Sequence, residues 1–356
     1  IMVIKNMGIN RYSKPSKHLL KLKQDFFDNN DTFLSTSRKI NNIYIKQPLR
    51  ERCMNCDHAI DIENDKETFI KQGVTYGICQ FCGHLNGFFE DSDEFCQTVY
   101  TDDGESYGKT YNASNRQEYF NRVADIYTPK AEFLLESLSS LADFNSLNYV
   151  DFGAGSGYFV SALVEAGVNN IVGYEVSRAQ ADSGNIMIGK DLLKVHSIED
   201  TISIIKSIDS DVVSMVGVLE HVQKPKEILD ALRSNTNIRF LYLSVPLFSP
   251  CVFFEMVFPE VMQRQLSGGH THLYTESSLK WLENEFDMKK VSAWWFGTDM
   301  VDLYRNITVQ LKRESGTRKM VKAWERMFIP LIDSMQSKID KEHLASEVHM
   351  LFEFKN

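Results

Sequence analysis

The segment Tyr149-Val150-Asp151-Phe152-Gly153-Ala154-Gly155-Ser156-Gly157-Tyr158-Phe159 leaves this chain few folds to choose from. A short run suited to a buried strand enters a loop with glycine at every second position, and Val160 to Ala166 then reads as an apolar helix. Glycine lacks a Cβ and tolerates positive φ, so such a loop lets the backbone approach a ligand closely. The helix start beyond it presents unpaired N–H groups. A second apolar strand, Asn170 to Tyr174, ends in Glu175, 18 residues after Gly157. An acid at that strand tip in a nucleotide-binding α/β unit is placed to accept ribose hydroxyls. The pattern predicts an α/β chain that binds a nucleoside.

The spacing Gly-x-Gly-x-Gly departs from the dinucleotide fingerprint, and Asp151 stands two positions before the first glycine. Asp151, Gly153, Gly155, Gly157 and Glu175 together resemble the cofactor motif of class I S-adenosylmethionine-dependent methyltransferases. The resemblance covers residues 115–356 and implies a Rossmann-like, seven-stranded sheet with helices on both faces. It implies S-adenosylmethionine as cofactor, with the glycine loop against its methionine part and Glu175 on its ribose. Helices at Asn115 to Tyr127 and from Thr128, an N-cap ahead of Pro129, to Leu141 would close over it, with Tyr111, Tyr119 and Tyr127 within reach. After a third strand near Leu193 to His196, the resemblance points to Ser197, Ile198 and Glu199 as contacts of the adenine ring.

Ser177 to Met187 reads as a helix stopped at Gly189. The near-continuous apolar run Asp211 to Val218 suits a parallel strand covered on both faces. Ligands of open α/β sheets bind beyond the carboxyl ends of the strands, so Glu220 and His221 should emerge beside the methyl donor, with Leu219 at the cofactor. Leu219-Glu220-His221 resembles a segment of many small-molecule methyltransferases and differs from the Asn-Pro-Pro-Tyr of those acting on nucleobase amino groups. A helix at Lys224 to Arg233 and a strand at Arg239 to Val245 follow. The aromatic-rich insertion Leu247 to Met262 would either wall the acceptor pocket or pack.

Gly268-Gly269-His270-Thr271-His272 precedes a helix at Ser277 to Phe286, with Thr275 as a natural N-cap. Sugar methyltransferases carry a His acting at the acceptor ahead of a phrase like Leu-x-x-Phe-Thr, and by resemblance this selects His270, with His272 as the alternative. Those relatives often have Glu before that His, where this chain has Gly269. Two alternate histidines without an acidic partner give little ground for a metal. A sixth strand at Lys290 to Phe296, a helical insertion at 299–345 and a last strand at Glu347 to Phe354, forming an antiparallel hairpin with the sixth, complete the expectation.

Ahead of this domain, Cys53-x-x-Cys56 and Cys79-x-x-Cys82 are separated by 22 residues. Two such knuckles place four thiolates at the corners of a tetrahedron, the arrangement of structural zinc, with no open position for catalysis. A disulfide or redox pair is the alternative. His58 and His84 beside the knuckles could replace a Cys but are not needed; Cys96 and Cys251 read as ordinary buried thiols. The chain therefore divides into a polar arm over 1–46, a zinc module over 47–100 that depends on its metal to fold, a linker over 101–114, and the methyltransferase domain over 115–356.

The net charge of −9 argues against a chain whose main partner is nucleic acid. Six Lys or Arg within residues 1–25 against the single acid Asp25 make a local exception, read as a solvated tail or an anion-binding arm. No apolar run has the length of a membrane span and the start lacks a signal-peptide pattern, so a cytoplasmic location is expected. A four-Cys module joined to this domain resembles deoxysugar C-methyltransferases and related enzymes of carbohydrate biosynthesis. The resulting expectation is methyl transfer to a small sugar-derived acceptor, with His270 or His221 as base and Glu220 as orienter. The alternatives are an RNA methyltransferase that recognises RNA through the zinc module, and a non-catalytic binding protein.

Overall fold

The computed structural model describes residues 8–22, 27–61, 67–100, 115–266 and 269–355. The linker with Tyr111, Gly268 of the histidine loop and parts of the N-terminal arm lie outside these. In chain order the strands are β1 (Asn10–Tyr12), β2 (Thr68–Lys71), β3 (Val74–Ile78), β4 (Leu85–Gly87), β5 (Tyr149–Phe152), β6 (Ile171–Glu175), β7 (Leu193–Val195), β8 (Val212–Val216), β9 (Phe240–Pro246), β10 (His272–Leu273), β11 (Met288–Phe296) and β12 (Glu347–Phe354).

The main sheet runs β7-β6-β5-β8-β9-β12-β11-β1. Every neighbouring pair is parallel except those made by β12, which is antiparallel to both β9 and β11. All seven residues of β9 are buried and β8 is nearly so, as central strands covered on both faces must be. Two hydrophobic clusters contribute the cover: one includes Leu229, Leu232, Phe286 and Trp295, the other Phe133, Leu134, Phe159 and Leu163. The order reverses between β5 and β8, so the loops after β5, β6, β7 and β8 converge on one crevice.

The seven expected strands are joined by an eighth, because Asn10–Tyr12 pairs with Ala293–Trp295 at the sheet edge. The first 46 residues are thus more than a polar arm. Asn30–Tyr44 forms a helix that buries Leu34 and Tyr44, the latter among the apolar residues of the small sheet described below. Nor does a new helix start at Thr128. Arg116–Arg122 runs through a π-helical turn at Val123–Tyr127 into Thr128–Ser139, with Thr128 N–H bonded to the Val123 carbonyl. Pro129 has no N–H to offer the preceding turn, and a π-bulge is one way a helix absorbs that gap. The helices Arg178–Ile188, closed by Gly189 at φ +78°, and Glu276–Glu285, opened by a Thr275 and Ser278 capping box, start and stop where the sequence signals them.

A second sheet, antiparallel and ordered β10-β4-β3-β2, carries the cysteine knuckles. Its edge strand β10 belongs to the segment after β9, nearly 190 residues downstream of β4 in sequence. The boundary drawn at residue 100 from composition is therefore not a structural one: the small sheet is finished by the methyltransferase region. Among the described residues no helix is long and apolar enough to cross a membrane.

Candidate active site

The cofactor side is made by contiguous chain. Gly153, Gly155 and Gly157 take φ of +68°, +54° and +71°, a region L side chains rarely occupy. A Cβ on Gly153 would also fall 2.5 Å from Val218 Cγ2, which puts the glycine loop directly against the segment leaving β8. Gly157 caps the helix Tyr158–Glu165. The Glu175 carboxylate accepts from the backbone N–H of Gly155 at 2.7 Å and from those of Val176 and Ser177 at 2.9 Å each, tying the tip of β6 to the loop. Asp151 is buried and accepts from the Ser214 hydroxyl at 2.6 Å. Burial, with Glu175 adding to it, pushes its carboxyl up to about 7.

Ser197 donates to Asp200 at 2.8 Å and opens a short turn whose Ile198 side chain is half exposed beside the end of β7. Leu219 is placed differently from the expectation: its side chain is fully buried in the core. Tyr119 is also buried, stacked on Tyr158 with ring centroids 4.6 Å apart and donating to the Ser156 carbonyl at 3.0 Å. It packs the loop from behind.

The histidine side of the crevice is assembled from distant pieces. Glu220, His221 and His270 each offer a ligand-type atom within 4.8 Å of the others. The ring centroids of the two histidines lie 5.1 Å apart, and Glu220 Oε1 lies 4.0 Å from His221 Nε2. His221 Nδ1 is 3.0 Å from the Gly269 carbonyl and His270 Nδ1 is 2.9 Å from the Gln265 carbonyl. A carbonyl can only accept, so both rings carry their proton on Nδ1 and their lone pair on Nε2. Glu220 consequently does not orient either ring through Nδ1, the role expected of it; backbone carbonyls hold that position. Burial, then the His270 charge, lowers His221 to about 3, and burial lowers His270 to about 4. Burial raises Glu220 to about 8.

His272 goes elsewhere. It sits in β10, fully buried, with Nδ1 2.8 Å from His84 Nε2, and desolvation holds it well below the usual imidazole range. That pairing ties His272 to the small sheet and separates it from the Glu220, His221 and His270 group.

The loop bearing His270 is held chiefly from outside the main sheet. Buried Glu255 accepts from the backbone N–H of Arg264, Gln265 and Leu266, and pairs with Lys71 of β2 at 3.1 Å. Gly87 donates to the Thr271 carbonyl at 2.8 Å, and Thr271 Oγ1 donates to Asp91, which itself pairs with buried Arg50 at 2.7 Å. Asp91, Glu347 and Lys130 are residues that sequence reasoning missed. Glu347 begins β12 opposite Pro246 and pairs with Lys130 at 3.3 Å. Burial pushes its carboxyl up, but Lys130 and His349 more than reverse this and hold it well below the usual range. An acid heading the antiparallel strand of a mostly parallel sheet lies at the ligand end, and that is the signal that would have found it.

Cys53 and Cys82 sulfurs lie 3.6 Å apart, as do those of Cys56 and Cys79, and all four lie within 4.8 Å of one another. Tetrahedral zinc with Zn–S of about 2.3 Å would set the sulfurs about 3.8 Å apart. All four are buried. An open groove of about 460 Å³ runs past the second knuckle, between Cys79–Gly83 and Trp281.

Residues 120–293 match the family model described as a methyltransferase domain. With the strand order and glycine loop, this makes the fold that of a class I methyltransferase. Over those residues the chain carries a methyltransferase domain. Among solved structures it is similar to the methyltransferase domain of bacterial CtHen1-C, at 11% identity over 64% of this chain and 98% of that one, with a TM-score of 0.40. It is also similar to geranyl diphosphate C-methyltransferase from Streptomyces coelicolor A3(2), at 12% identity over 68% and 85%, TM-score 0.41. A third is magnesium protoporphyrin IX methyltransferase from Synechocystis PCC 6803, at 13% identity over 52% and 89%, TM-score 0.38. No curated protein matches the sequence.

Proposed function

We propose that this enzyme methylates a sugar-derived small molecule, a sugar, nucleotide-sugar or polysaccharide building block, in the crevice between the glycine loop and His270. The observation carrying this reading is the pair of imidazoles with Nδ1 occupied by carbonyls, beside a β8 exit that touches Gly153. Gly153, Gly155 and Gly157 take the methionine part of S-adenosylmethionine, Glu175 its ribose and Ser197 with Ile198 its adenine, while Asp151 and Leu219 support the loop from behind. The bound cofactor supplies an electrophilic methyl on a sulfonium. The protein aligns the acceptor and removes its proton. His270 Nε2, or His221 Nε2, takes that proton from the acceptor oxygen or carbon. The new bond to the methyl carbon forms as the carbon–sulfur bond breaks, its electron pair staying on sulfur, and S-adenosylhomocysteine leaves.

The Cys53, Cys56, Cys79 and Cys82 cluster holds a structural zinc, which keeps β4 in place to receive β10. Methyl-labelled S-adenosylmethionine incubated with the protein and an extract of its source organism tests the reading. Label is expected in low-mass or polysaccharide material; label confined to RNA would replace it with the RNA reading, and no label anywhere with the binding-protein reading. His270→Asn with His221→Asn should lower turnover by 10² to 10⁴-fold, the usual range of general base catalysis, with S-adenosylhomocysteine affinity unchanged.

A further inference from the structure

The edge strand β1 ends at Tyr12 and runs parallel to β11, which β12 opposes. The chain leaving β1, the end of β11 and the start of β12 therefore meet at the same end of the sheet as the glycine loop. Ser13 takes φ +65°, and both its backbone groups are held: its N–H donates to the Trp295 carbonyl at 2.9 Å and its carbonyl accepts from Trp294 Nε1 at 3.0 Å. A non-glycine residue keeps such a backbone only where its surroundings over-determine it. The turn sends Lys14 over the Phe296 ring, with Nζ 4.8 Å from the centroid. Phe296 stacks on His349, whose Nε2 is 3.0 Å from Glu347 Oε1, and Lys130 Nζ reaches the same oxygen at 3.3 Å.

Two ammonium groups thus stand around one carboxylate. Lys130 neutralises Glu347, and the Lys14 amine makes no hydrogen bond or ion pair among the described residues. Burial, then the Lys130 charge, lowers Lys14 to about 8, and Glu347 opposes this only in part. A half-buried cation without an acid of its own costs free energy unless an anion meets it. We infer that Lys14 and Lys130 bind an anionic group of the acceptor, a phosphate or a carboxylate. An ammonium is a compact point charge that meets such an oxygen without demanding a fixed two-point geometry, so two of them suit different oxygens of one group. Glu347 holds Lys130 in place for this.

The inference rests on the reading of this crevice as the acceptor side, and deepens it. Strand β12 lies three strands from β5, about 14 Å at the usual spacing, so the anion stands on the far side of the acceptor from the methyl donor. The acceptor class narrows to molecules that carry a negative charge several bonds from the methylated atom. The basic arm acquires a role at one position: Arg11 pairs with Glu136 and Lys17 is exposed on the next helix, whereas Lys14 is turned to the ligand end of the sheet.

The test uses the full chain saturated with S-adenosylhomocysteine, so that the cofactor's own site is filled. Pyrophosphate, inorganic phosphate and malonate are each titrated in and followed by calorimetry. One site per chain is expected, and the class that binds more tightly, phosphate or carboxylate, names the group. Lys14→Met keeps the packing on Phe296 and removes the charge, and should weaken that binding by about 10-fold or more, as loss of a charge-assisted hydrogen bond does. Lys17→Met should leave it unchanged. S-adenosylhomocysteine affinity serves as the check that each variant is folded. No anion binding by the wild type, or equal binding by the wild type and Lys14→Met, overturns the inference. Equal weakening in Lys17→Met does so too, since it would make the arm a solvated basic tail. The two readings fail separately. Anion binding lost in Lys14→Met, without methyl transfer to any sugar fraction, keeps the anion site and sinks the sugar reading. Methyl label entering neutral sugars at equal rates with the wild type and Lys14→Met keeps the sugar reading and sinks the anion site.

Discussion

The glycine-loop side and the histidine side of the crevice meet at Gly153 and Val218, yet they are built in opposite ways. Asp151, the glycine loop, Glu175 and Ser197 come from one uninterrupted stretch of strand, loop and helix, and its few long-range supports, such as Ser214 and Tyr119, come from within the main domain. His270 instead depends on Glu255, Lys71, Gly87 and Asp91, which reach it from the insertion and from the N-terminal sheet. Local chain fixes one side and long-range contacts fix the other. The two sides should therefore fail independently.

The largest test of that independence removes the cysteine cluster. Cys79→Ser with Cys82→Ser, or a strong chelator acting on the zinc proposed for that cluster, should cut turnover by about 1,000-fold or more, since binding of structural zinc supplies folding free energy to small modules. S-adenosylhomocysteine affinity by calorimetry should stay within about threefold. A comparable loss of cofactor binding would mean the two sides are one unit. The converse variant, Gly153→Val, forces a side chain into positive φ and against Val218, and should weaken cofactor binding by about 100-fold. Its zinc content should be unchanged.

Smaller effects sharpen the contrast. Lys71→Met strands Glu255 without its buried partner, a loss of about 3 kcal/mol in such pairs. Turnover should fall by about 10-fold while cofactor affinity holds, and an unchanged rate would show that the histidine loop does not need β2. Asp151 has the opposite signature. Burial pushes its carboxyl up to about 7 in the folded chain, above the ordinary 3.8. The stability it contributes is therefore complete below pH 4 and is lost as the pH climbs through 7. Asp151→Asn should flatten the thermal stability profile over that window, and an unaltered profile would place the slope elsewhere. Least of all, Tyr119→Phe deletes the hydrogen bond to Ser156, about 1 kcal/mol, and should weaken cofactor binding a few-fold without touching metal content.

The same contrast explains what the sequence could show. The positions of most main-sheet strands, the glycine loop and the Thr275 and Gly189 caps were legible because each is a local pattern of residue types with a mechanism. The eighth strand was not, because Asn10–Tyr12 is a strand only through Ala293–Trp295. The sequence offered His270 and His272 as near equals, two residues apart; only the pairing of β10 with β4 turns one to Glu220 and the other to His84. Nor did the sequence show that Glu220, 50 residues earlier in the chain, comes beside His270, with ligand-type atoms of the two within 4.8 Å. Composition could not show that the cysteine module borrows its edge strand.

That borrowed strand also bears on how the protein is made. A ribosome releases β4 long before β10, so a nascent chain carries the cysteine sheet with one edge unpaired while nearly 190 further residues are synthesised. At about 5 to 20 residues per second, that edge stays open for about 10 to 40 seconds, a template for pairing with any other exposed strand. Expression yield should then respond to translation speed and zinc supply more than the finished protein's stability would suggest.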